Sequence, residues 1–157
     1  MKEAYLKLLG KMTYGIYVLT SAADQVINGM IASWVCQVSY DPLLLMVAIH
    51  RNRYTHDLIN KNGFFALNII SKNQNDHLKR FKGPVPEIKF SSVKWKKGVT
   101  GVPVLNECIG YMECKIKDTY APGNHTLFIG EVVAAEFISD QTPLSTSDYK
   151  GVYLGKN

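Results

Sequence analysis

The sequence predicts a mainly β fold: an antiparallel barrel, Greek-key-like, with short helices packed outside it. Three observations carry this expectation. Several short runs rich in β-branched and aromatic residues are separated by turn signals. Helical and strand-like segments do not alternate as a parallel sheet requires. There is no GxGxxG turn, which argues against a doubly wound dinucleotide domain.

Taken in order, residues 2–12 read as a short amphipathic helix, with Tyr5, Leu8, Leu9 and Met12 at helical spacing. Tyr14–Ser21 is strand-like, and Ala22-Ala-Asp-Gln follows as a turn. Gly29–Ser39 alternates along one strand. Met30, Ala32, Trp34, Cys36 and Val38 fall on one face; Ser33, Gln37 and Ser39 fall on the other. Asp41-Pro42 ends it. Leu43–Ile49 is apolar on both faces and predicts a buried central strand. Residues 54–61 predict a helix closed by Asn62-Gly63, and Phe64–Ile70 a further strand. Ser71 is a candidate cap for a helix over 73–81, with Leu78 and Phe81 packing inward and Gly83-Pro84 ending it. Residues 83–106 read as an irregular excursion. Residues 109–119 and Thr126–Ile138 are strands, with Gly130 marking a candidate bulge, and Gly151–Leu154 is a last strand-like segment.

Bulk properties bound the function. At 157 residues the chain is the size of one domain, 1–157. No run approaches the roughly 20 apolar residues of a membrane span. The first residues lack the apolar core of a secretory signal, so the expected location is the cytoplasm. The three cysteines, Cys36, Cys108 and Cys114, match no zinc or CxxC spacing and read as small buried hydrophobes. The four histidines have no ligand-like spacing, and no metal site is expected. The net charge of +5 points to an anionic partner. Lys94–Lys97 reads as a solvated face. Arg51 with Arg53, and Lys79-Arg80 with Lys82, lie beside turn signals and are candidates for a phosphate.

Three segments carry candidate chemistry. Asn28–Pro42 sets Ser33, Gln37 and Ser39 in an otherwise apolar strand, where small polar groups let a flat ligand approach the backbone. Taken alone, that pattern also fits an ordinary wet strand face. His50-Arg51-Asn52-Arg53-Tyr54-Thr55 follows a buried strand and opens a helix. Two arginines, a hydroxyl and helix N–H groups suit an anion, as they would suit a salt-bridged loop. His125 follows the turn at Pro122-Gly123 and enters a strand, where it faces a ligand or bonds the backbone. No GxSxG, HExxH or P-loop is present.

In order, "NGMIASWVCQVSYDPLLLMVAI", "RNRYTHDLI", "GFFALNII", "HLKRFKG" and "GNHTLFIGEV" resemble the flavin reductase-like, FMN-binding split-barrel family across about residues 8–154. The resemblance implies an FMN-binding oxidoreductase, with FAD the less favoured flavin. Ala32, Ser33 and Trp34 would lie along the isoalloxazine ring. Cys36, Gln37, Val38 and Ser39 would bond the ring edge and ribityl chain. Arg51, Arg53, Tyr54 and Thr55 would receive the phosphate, helped by Lys82. His125 would meet the nicotinamide donor, and the protein would be a homodimer. The family's Gly-Asp-His is here Gly123-Asn124-His125, which keeps the turn and loses a charge. No paired CxxC segments are present, so rubredoxin would be a separate partner. Two redox readings follow: an NAD(P)H oxidoreductase passing electrons to a flavin, iron or redox-protein acceptor, or a flavoredoxin-type carrier that does not oxidise NAD(P)H. Nucleic-acid binding ranks far below, since no basic–aromatic run is present, and no membrane contact is expected.

Overall fold

The backbone at Asp24 and Gln25 takes positive φ at both residues, 50° and 66°, which matches the twist of a two-residue hairpin turn. It joins β1 (Tyr17–Ala23) to β2 (Val26–Ala32) in antiparallel register, Ala23 opposite Val26. The chain then crosses Ser33-Trp34 into β3 (Val35–Tyr40), which turns at Asp41-Pro42 into β4 (Leu43–His50). A helix α2 (Tyr54–Asn62) leads to β5 (Phe64–Ile69). After the excursion come β8 (Gly110–Tyr120) and β9 (His125–Phe137). Between β5 and the excursion lies α3 (His77–Arg80), and the excursion itself holds α4 (Pro86–Phe90), β6 (Trp95–Lys97) and β7 (Pro103–Leu105). A first helix, α1 (Lys2–Leu9), precedes them all. This computed structural model describes residues 2–149.

Seven strands form one antiparallel sheet in the order β2-β1-β5-β8-β9-β4-β3. Its two edge strands are consecutive in sequence, joined only by Ser33 and Trp34. Three residue steps reach at most about 11 Å. The sheet must therefore roll until its edges approach, giving a barrel left open between β2 and β3. Inside it pack Leu19, Val47, Ile49, Phe65, Cys114 and Phe128, from five strands. A second apolar cluster, including Val18, Ala66, Phe81, Phe90 and Val104, joins the outer face of β1 and β5 to the excursion.

Most of the expected elements are present, and the differences have physical causes. The single strand expected over Gly29–Ser39 is two strands on opposite edges, because the chain breaks at Ser33-Trp34. The helix expected over 73–81 is a 3-10 turn at Lys72–Gln74 followed by the four-residue α3. The Ser71 N–H bonds Gln74 Oε1 at 3.0 Å, so the cap closes on the first turn. The excursion is less irregular than expected: Pro86 starts α4, and β6 and β7 pair antiparallel. The pairing of β8 with β9 shifts register beside Gly130, but the extra residue is Lys117 on β8. Cys36 is exposed, against the buried position expected; Cys108 and Cys114 are buried. On α1 and after it, Tyr5, Leu8, Leu9 and Met12 keep their helical spacing and stay at least half exposed. The Lys94–Lys97 stretch is solvated, as expected, with Lys94 and Lys96 paired to Glu107 and Glu136. The strand expected over Gly151–Leu154 lies outside the described residues. Among the described residues no helix is long and apolar enough to cross a membrane.

Candidate functional site

A cavity of about 740 Å³ opens where the barrel is split. That volume lies within the range of small-ligand and cofactor sites. Ala32, Ser33 and Trp34 bring the crossing between the two edge strands to its wall. Arg53, Tyr54 and Thr55 bring the start of α2, and His125 brings the start of β9. Phe81 through Pro84, with Lys82, and then Lys89 on α4 close it from the excursion side. Among the described lining residues there is no aspartate or glutamate.

The deepest part is a chain of buried polar groups. Lys89 donates from Nζ to Asn28 Oδ1 at 2.9 Å and to the Gly29 carbonyl at 2.8 Å. Asn28 Nδ2 donates to Thr55 Oγ1 at 2.9 Å. Lys89, Asn28 and Thr55 are all buried. Lys89 thus holds an ammonium out of water with only neutral acceptors. Burial, followed by the charge of Arg53, pushes its pKa down to about 8. A buried cation beside an arginine calls for an anion. The first turn of α2 adds the positive end of a helix to the same region.

The mouth is aromatic. The Trp34 and His125 rings lie 4.8 Å apart between centroids, and the His50 ring meets His125 edge-on at 5.0 Å. His50 and His125 are direct cross-strand partners of β4 and β9. His125 Nδ1 lies 2.8 Å from Asn124 Oδ1. An amide oxygen only accepts, so Nδ1 carries a proton, and in the neutral ring the lone pair is on Nε2. Burial, then His50 and Arg53, lower the His125 pKa. The Arg51 N–H bonds the Asn124 carbonyl at 3.2 Å and ties the two loops together.

Of the residues singled out in the sequence, Ala32, Ser33, Trp34, Arg53, Tyr54, Thr55, Lys82 and His125 meet at this cavity. Cys36, Gln37, Val38 and Ser39 do not line it. They follow the break in the strand and run along edge strand β3, where Gln37 Nε2 bonds the Ser39 carbonyl at 3.2 Å. Arg51 is exposed and contributes its backbone rather than its guanidinium. Among the cavity residues given no role from the sequence are Asn28, His50 and Lys89. Asn28, a polar side chain in a strand of mostly apolar residues, carried a signal. Lys89 carried none, since its stretch has no repeat or motif.

The donors and shape fit a phosphorylated planar ligand such as a flavin mononucleotide. Arg53, Lys82 and Lys89 supply charge for a phosphate, and Trp34 beside the small Ala32 and Ser33 gives a flat apolar wall. Among the described residues no group of three or more histidine, cysteine or acidic side chains could hold a metal ion.

Comparison with known proteins agrees with this geometry. Residues 9–153 match the flavin reductase like domain. The chain is 32% identical to a ferric-chelate reductase (NAD(P)H) of Archaeoglobus fulgidus, over 93% of this chain and 89% of that one. It is 26% identical to an FMN reductase (NADH) of Stutzerimonas stutzeri, over 100% of this chain and 87% of the other. Its fold superposes with a TM-score of 0.84 on an NADH:FAD oxidoreductase of Streptomyces globisporus solved with NAD and FAD fragments. The two are 23% identical, with 92% of this chain and 87% of that one covered.

Proposed function

Because the chain belongs to the flavin reductase-like family and is an oxidoreductase, we propose that it binds FMN in the split of the barrel and takes electrons from NAD(P)H through it. The observation that carries the reading is the acid-free cation site of buried Lys89 and half-buried Arg53, set beside an aromatic wall. When bound, the flavin supplies the redox chemistry, taking a hydride from the reduced nicotinamide and passing electrons onward. The protein's own residues bind and orient. Arg53, Lys82 and Lys89 hold the phosphate; Asn28 and Thr55 fix Lys89. Ala32, Ser33 and Trp34 seat the ring. His125 offers Nε2 as an acceptor at the mouth, where the donor's carboxamide would dock. The acceptor in this reading is a free flavin, a ferric chelate or a separate redox protein such as rubredoxin. The reading also includes a cytoplasmic location and a homodimer, the latter supported by the apolar side chains left exposed on α1.

The protein reconstituted with FMN is expected to be yellow and to bleach rapidly on anaerobic addition of NADH or NADPH. A protein that takes up no flavin would overturn the reading. One that holds FMN and does not bleach with either nucleotide would instead be an electron carrier. His125→Ala is expected to slow bleaching by about tenfold or more, the scale of a misplaced reactant, while FMN affinity changes far less. Equal loss in both would remove His125 from the donor side.

A further inference from the structure

The Lys89 ammonium is held only as well as the helix that carries it. Helix α4 has five residues, too few to be stable by itself. Its buried side chains, Lys89 and Phe90, both reach one residue of the barrel wall, Gly29 on β2. Lys89 Nζ donates to the Gly29 carbonyl at 2.8 Å. A β-carbon at Gly29 would stand 2.7 Å from the Phe81 ring and 3.4 Å from the Phe90 ring. The two rings therefore use the space that a side chain there would fill. Behind Phe90 stands Trp95. Their rings meet edge-on at 5.6 Å, and Phe90 meets Phe81 edge-on at the same distance. Trp95 does not line the cavity. It lies on β6, opposite Leu105 of β7. That hairpin is tied to the barrel by the buried polar side chains of Asn68, Thr20 and Glu113. Asn68 Oδ1 accepts the Leu105 N–H at 2.8 Å, and Thr20 Oγ1 donates to the Pro103 carbonyl. The Glu113 carboxylate accepts the Val99 and Thr100 N–H groups at 3.1 and 2.8 Å. Buried groups of this kind are costly to leave unpaired, so the hairpin is a fixed base.

We propose that Trp95 is a positioning residue for Lys89. Standing on a hairpin locked to the barrel, it holds Phe90 against Gly29 and so sets the Lys89 ammonium at the phosphate end of the cavity. The inference rests on the phosphate role proposed for Lys89. Lys89 and Phe90 are neighbours on a short helix, so a shift of the Phe90 ring turns that helix and carries the ammonium with it. Removing the indole leaves Phe90 without packing on one side. A five-residue helix has no length of its own to resist the turn. Ala32, Ser33 and Trp34, which seat the ring, stand on β2 and the crossing to β3 and keep their places. The phosphate's share of flavin affinity is therefore lost while the ring's share is kept.

Amide hydrogen exchange of the flavin-free protein tests the placement. In Trp95→Ala, exchange over residues 86–93 is expected to rise by about threefold or more, with β8 and β9 little changed. Trp95→Phe keeps a ring at the site and should restore most of the protection. Trp95→Leu is the second variant should the alanine variant not fold. Flavin binding tests the consequence. FMN affinity at low salt should fall by about three- to tenfold in Trp95→Ala, the worth of one aromatic pair, and recover in Trp95→Phe. Riboflavin, which lacks the phosphate, should bind almost unchanged. Exchange over residues 86–93 that does not rise overturns the proposal, and so does a rise shared equally by the whole chain. An equal loss of affinity for both flavins also overturns it. Exchange that rises locally while FMN affinity stays unchanged supports the placement of Lys89 by Trp95. It would overturn the phosphate role of Lys89 instead.

Discussion

Lys89→Met is expected to weaken FMN binding by about 2 kcal/mol, roughly 30-fold, at low salt. The side chain is buried, and its ammonium reaches only Asn28 Oδ1 and the Gly29 carbonyl. Both acceptors are neutral, so the charge stays available to a ligand. Charge-assisted bonds in such a site are the strong ones. The comparison that isolates the effect is riboflavin, which lacks the phosphate. Its affinity should change little, so the gap between FMN and riboflavin collapses in the variant. An unchanged FMN affinity, or an equal loss for both flavins, would take Lys89 out of the phosphate site.

The same residue fixes a pH dependence, and its sign follows from burial. Lys89 has its pKa lowered from 10.5 to about 8 in the folded chain. Between those values the folded state binds fewer protons than the unfolded state, so this group's contribution to stability rises with pH. Below about 8 the penalty for burying the charge is fully present. FMN affinity runs the other way. A phosphate stabilises the ammonium, so binding should weaken as pH rises through about 8. Lys89→Met should flatten that dependence in both measurements.

What was legible in the sequence divides by range. Local rules found the turn within Ala22–Gln25, which narrows to Asp24-Gln25, the closure of α2 at Gly63 and the existence of strand β4, because each depends on a few neighbouring residues. The central position expected for β4 was wrong, since it lies beside edge strand β3 and fully buries only alternate residues. The break at Ser33-Trp34 was not legible. Alternation of apolar residues runs unbroken through Gly29–Ser39, and only closure of the barrel decides that β2 and β3 lie on opposite edges. That one break explains why Ala32, Ser33 and Trp34 reach the cavity while Cys36 through Ser39 do not. Lys89 and His50 were missed for the same kind of reason. Lys89 is defined by the strand it reaches across, and His50 by the residue opposite it on β9. Both are long-range pairings that no spacing along the chain records. Arg53, Thr55 and His125 were found because their segments carry turn and helix-start signals of their own.

Gly130 is the case in which a local signal was present and its meaning lay elsewhere. A glycine inside a strand suggests a bulge, and the register does shift beside it. The stronger constraint is space. A β-carbon at Gly130 would stand 2.7 Å from the Phe65 ring and 2.8 Å from the Cys114 β-carbon. Both neighbours are fully buried in the barrel interior, on β5 and β8, and have no solvent to move into. Gly130→Ala should therefore overpack the core and destabilise the protein by about 1–3 kcal/mol. For a chain of this size that is a fall in Tm of roughly 3–10 °C. Gly123→Ala is the matched control, since a β-carbon there meets nothing within 4 Å. Equal melting temperatures for the two variants would show that the interior yields at Gly130. Phe65→Leu placed on Gly130→Ala distinguishes overpacking from a backbone effect. If the ring is the obstacle, the double variant loses less stability than the two single losses added together. A strictly additive loss would point to the backbone of β9 instead.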